Sequence, residues 1–128
     1  MKYAEAPDIK QMVSEIVDEL GMTYIAPQRV HCYRSWGSKS RRIIARIHGL
    51  GSIWQQALAL PPTYTIEVIS EKYDRLAPEE QEKTVIHELL HIPHGFRGGF
   101  RPHKGYVTRG RVQQLHQVLC ERRARRVR

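Results

Sequence analysis

His87-Glu88-Leu89-Leu90-His91 lies within an apolar run that opens at Thr84-Val85-Ile86, and the reading of the whole chain turns on it. Residues four apart on an α-helix stack on one face a turn above each other, so both imidazoles can face one ion. A zinc ion held about 2.0–2.1 Å from each imidazole nitrogen lowers the pKa of its bound water towards about 7, and a neighbouring carboxylate can take that proton. The spacing therefore predicts His87 and His91 as metal ligands, Glu88 as general base, and hydrolysis of a peptide bond. Three fixed letters in five also arise by coincidence on solvated helices. The flanks argue against coincidence, because Val85, Ile86, Leu89 and Leu90 make this a buried turn. A charged Glu88 there is costly unless it is paired or close to a metal.

The helix is expected to start near Pro78, with Glu79 and Glu80 favoured by the dipole of its first turn, and to stop before Pro93. A hydrolytic zinc needs a third protein ligand. His103 is the first choice, His94 the alternative and Glu121 the third. Gly95, Gly98 and Gly99 permit the reversals that would bring the chain back over the ion, and His103 is expected to open the final helix. Tyr106, three residues on, would then share a helical face with His103 and could donate to an oxyanion; the ordinary alternative is a packing or surface tyrosine.

With Ile92-Pro93, Gly98-Gly99, Arg101-Pro102-His103-Lys104 and Tyr106-Val107-Thr108 in register, the stretch 87–115 resembles a family of metallopeptidases seen in phage and archaeal genomes. It is more loosely similar to SprT-like proteases. Weaker likeness runs upstream through Arg34-Ser35, Gly37-Ser38, Ala45-Arg46-Ile47, Gly49-Leu50, Ile53-Trp54-Gln55, and Tyr64 with Ile66-Glu67-Val68. The resemblance implies a minimal zincin fold, with zinc at the positions of His87, His91 and His103 and Glu88 as base. The metzincin pattern is not met: Gly95 comes one residue late, and Arg97 and Gly98 stand where that pattern has a histidine.

Around this motif the chain reads as one α+β domain over residues 1–128. Ile9, Met12, Val13, Ile16, Val17 and Leu20 recur at helical spacing between Pro7 and Gly21, marking an N-terminal helix. Strands are expected over 29–33, 42–47 and 64–69, giving a small, mostly antiparallel sheet of about three strands. The last helix is expected over 107–122, burying Val112, Leu115, Val118 and Leu119. An exposed edge at 42–47 or 64–69 could pair with an extended peptide and hold its carbonyl over the metal.

Twenty-one Lys and Arg against 13 Asp and Glu give a net charge of +8, and residues 121–128 form a basic tail. That tail, with the basic loop 34–42, could make non-specific contacts to DNA or RNA phosphates; a solvated, frayed terminus is the plainer reading. No apolar stretch approaches the roughly 20 residues that cross a bilayer, and residues 1–5 lead into an amphipathic helix rather than a signal peptide. A cytoplasmic protein is expected. Cys32 and Cys120 suit free thiols, with Cys32 as an inhibitory ligand the remote alternative. His31, His48 and His116 read as structural or surface residues, and Trp36 and Trp54 as packing. A zinc endopeptidase is thus the first expectation; the alternatives are a basic nucleic-acid-binding module and a metal-dependent hydrolase of non-peptide substrates.

Overall fold

The computed structural model describes residues 1–127; Arg128, the last residue of the expected tail, lies outside the described residues. In helix α1 (Pro7–Glu19), Ile9, Val13, Ile16 and Val17 form the buried stripe, and Pro7 occupies the first turn. Gly21, at φ 65°, ends it: the Gly21 N–H donates to Asp18 O (3.2 Å) and the Met22 N–H to Val17 O (3.0 Å). This pairing satisfies the last carbonyls of the helix and needs the left-handed backbone that glycine adopts freely.

Four strands, not three, make the sheet: β1 (Lys2–Glu5), β2 (Val30–Trp36), β3 (Ala45–Gly49) and β4 (Tyr64–Ile69), in the spatial order β1-β2-β4-β3. β1 and β3 pair antiparallel to their neighbours, whereas the central pair β2 and β4 is parallel, so the sheet is mixed. β1 escapes sequence reading because it is a four-residue edge strand of mostly exposed residues that carries Lys2 and Glu5, the usual dress of a protected edge. Strand β4 is internal, which removes 64–69 as a docking edge. The expected strand at 42–47 lies three residues further on, at Ala45–Gly49, and is an edge.

The remaining elements are a 3-10 turn at Pro27–Arg29 and helices α2 (Ser52–Leu58), α3 (Ser70–Tyr73), α4 (Pro78–Leu90) and α5 (Arg109–Val127). One apolar cluster joins α1, α4 and α5 to one face of the sheet through Val13, Ile16, Ile66, Val68, Ile86 and Leu119. On the other face Glu67 is buried, taking hydrogen bonds from Ser35 Oγ (2.5 Å) and His48 Nε2 (2.8 Å), with Arg46 Nε 3.2 Å away. It thereby ties β2 and β3 to β4. Helix α2 buries nothing, and Trp54, expected to pack, is exposed. The basic end is not frayed: α5 runs on to Val127, with Arg122 donating to Glu19 O, Arg123 paired with Glu82, and Arg126 paired with Asp18 and Glu19.

Candidate metal centre

Helix α4 places His87 and His91 one turn apart, with ring centroids 5.2 Å from each other. The chain then reverses through a glycine-rich loop and sets His103 against both, at 5.3 Å from His87 and 4.7 Å from His91. One nitrogen from each of the three rings lies within 4.8 Å of the others. His103 does not open a helix, however. It starts a turn over 103–106, where Gly105 takes a left-handed φ of 85° that interrupts a helix, and α5 begins only at Arg109.

That closure is made of two hydrogen bonds between His91 and Arg101. The Arg101 N–H donates to His91 O (2.7 Å), and His91 Nδ1 lies 2.8 Å from Arg101 O. A carbonyl only accepts, so Nδ1 carries the hydrogen and Nε2 presents its lone pair to the cluster. Burial, with the neighbouring His91 and His103 imidazoles, holds His87 down at about 4, so its ring is neutral at physiological pH. Neutral imidazole is the form that ligates a metal. Three histidines, one with a fixed tautomer and one held uncharged, therefore suit a metal ion.

Glu88 is buried and its carboxylate accepts no hydrogen bond among the described residues; burial pushes its carboxyl up to about 7. It opens on a cleft of about 770 Å³ that it shares with His87, His91 and His103. The chain before and along β3 forms one wall of the cleft, and Phe100, Arg101, Arg109 and Val112 stand among its other lining residues.

Two side chains that sequence reading missed hold the loop. Tyr64, fully buried at the start of β4, accepts from the Gly98 N–H (2.9 Å) and donates to Gly99 O (2.7 Å). Gln55 of α2 donates to Leu50 O and Arg97 O, both at 2.7 Å. Gly98, at φ 103°, packs so closely that a Cβ would stand 2.2 Å from Leu50 O, and one on Gly49 would stand 2.4 Å from Gly98 O. Neither Tyr64 nor Gln55 announces this role locally, since each acts on chain more than 30 residues away.

The other candidates lie elsewhere. His94 stacks on Tyr24 (centroids 4.2 Å apart) and lines a second hollow of about 590 Å³. Tyr106 also lines that hollow, half exposed beneath the Arg101 guanidinium, and the helical face it was to share with His103 does not exist. Glu121 sits on α5 near Gln117. Cys32 is buried in the apolar cluster, its thiol pushed up to about 11 by burial, and Cys120 is exposed. His48 serves Glu67, and His116 is buried against Glu82 (3.1 Å).

Comparison with known proteins gives one match: a family model described as "Putative phage metallopeptidase" covers residues 1–119. No curated protein and no solved structure matches the chain. Among the described residues no helix is long and apolar enough to cross a membrane.

Proposed function

We propose, from the premise that the chain belongs to the phage metallopeptidase family, that it is a zinc-dependent endopeptidase of minimal zincin type. The observation that carries this reading is the convergence of His87, His91 and His103 beside a buried Glu88 in one cleft. His87, His91 and His103 would hold the zinc, which supplies Lewis acidity to a peptide carbonyl and acidifies a water. Glu88, its carboxyl pushed up by burial, would take the proton of the attacking water and deliver it to the amine nitrogen of the breaking peptide bond. The free edge of β3 offers its main-chain groups to an extended peptide, laying the scissile bond across the cleft. Glu67, through Arg46 and His48, fixes that edge against the sheet. Tyr106 has no step in this scheme.

The test is Glu88→Gln. It keeps the shape of the side chain and removes its basicity, so zinc content and thermal stability should stay while cleavage of a protein substrate falls by about 10²–10⁴-fold. Undiminished cleavage by the pure variant would reject Glu88 as the base.

A further inference from the structure

Resting on the peptidase reading above, we infer that the cleft selects peptides carrying Asp or Glu beside the scissile bond. The charged side chains that line it are unequal in sign. Arg46 is engaged by Glu67 and Lys83 by Glu80 (3.5 Å), and Glu88 belongs to the reaction. What remains is Arg42 and Arg109, neither of which makes an ion pair among the described residues; Arg101 also borders the cleft, but its guanidinium lies over the Tyr106 ring at the second hollow.

These two come from separate parts of the fold: the chain entering β3 and the first residue of α5. Both line the one cleft that holds His87, His91 and His103. A strand added to β3 would point alternate side chains into the space they line. Carboxylates at such positions meet guanidinium groups that have no internal partner, whereas lysine or arginine at the same positions meets like charge.

A single-stranded nucleic acid is also an anion, but the cleft is poorly made for one. Binding of that kind uses a row of aromatic faces for base stacking. Phe100 is the only aromatic residue other than histidine among those lining the cleft, and Tyr106 lies in the other hollow. The open strand edge, in contrast, offers peptide-spaced donors and acceptors that a sugar–phosphate chain cannot match.

The experiment uses three internally quenched peptides with one neutral core, flanked by Glu, Gln or Lys. Zinc-loaded protein should cut them in the order Glu, Gln, Lys, with kcat/KM about tenfold apart between Glu and Lys and the gap shrinking as salt rises. Arg42→Glu with Arg109→Glu, both exposed positions, should reverse the order in a protein whose melting curve is unchanged. Equal rates for the three peptides would overturn the inference while leaving the peptidase reading intact. Fluorescence anisotropy with zinc-loaded Glu88→Gln protein separates the two readings. If no peptide is cut, tighter binding of the Glu peptide than the Lys peptide still supports charge selection, and equal binding overturns it. Displacement of the Glu peptide by a single-stranded oligonucleotide at lower concentration than by unlabelled Glu peptide would assign the cleft to nucleic acid instead.

Discussion

The candidate metal centre is built from two regions that obey different rules. Helix α4 supplies His87, Glu88 and His91 by periodicity alone, within one turn held by its own backbone and by Val85, Ile86, Leu89 and Leu90 beneath it. The segment 92–106 supplies His103 with no regular structure, and it is placed by Tyr64, Gln55 and Leu50, distant in sequence, and by the carbonyl of His91 just before it. A regular helix aligns two histidines and a glutamate almost without tertiary help. The third histidine depends on the rest of the fold, so the two regions should fail differently when perturbed.

The largest effect should come where the regions meet. His91→Ala would remove a proposed ligand and the Nδ1–H that donates to Arg101 O, while the backbone bond from the Arg101 N–H to the carbonyl of residue 91 stays, so elemental analysis should find bound zinc falling from about one per chain to near none. His103→Ala removes a ligand alone. Next in size is Gly98→Ala, which forces a Cβ into Leu50 O at a positive φ and should cost about 1–3 kcal/mol, read as a lower melting temperature. Gly99→Ala, where a Cβ would meet nothing within 4 Å, is its control and should melt nearly as the parent does. Equal losses from the two glycines would refute the idea that close approach at Gly98 sets the loop.

Tyr64→Phe should sharpen the comparison further. It deletes both hydrogen bonds to the loop and leaves α4 untouched, so zinc affinity should fall about 10–100-fold, the usual scale for a group that positions a ligand from behind. Competition with a chelating dye measures this. Unchanged affinity would show that His103 holds its place without the sheet.

The smallest effect concerns the edge strand. Burial alone raises the Glu67 carboxyl, but hydrogen bonds from Ser35 and His48 and the charge of Arg46 outweigh it and leave the group below its ordinary value. A depressed carboxyl stabilises the fold fully above its unfolded value of 4.5, and that contribution disappears as pH falls through the lower folded value. Glu67→Gln should therefore flatten the acid limb of the stability curve below pH 4.5 and lower stability at neutral pH. An acid limb unchanged in Glu67→Gln would place the transition on other carboxylates.

The same contrast explains what could be read from the sequence. Both ends of α4 and the buried stripe of α1 follow local rules of proline, glycine and apolar spacing, and they appear where those rules put them. The three histidines were nameable because few residues of that type follow the motif. Their support was not, since Arg101 acts through its carbonyl, which every residue has, and Tyr64 reads as an ordinary strand aromatic. β1 was hidden by its exposure, and the parallel pairing of β2 with β4 by the fact that register between distant strands leaves no trace in either one.

Cys32 and Cys120 together give the molecule a built-in stopwatch. An alkylating reagent meets Cys120 at once, but reaches Cys32 only when β2 leaves the core, and the raised thiol of Cys32 stays unreactive until then. The second label, counted by mass against time, thus reports the lifetime of the closed molecule. Run with and without zinc, it would show whether the ion merely occupies the three histidines or also slows the opening of the sheet.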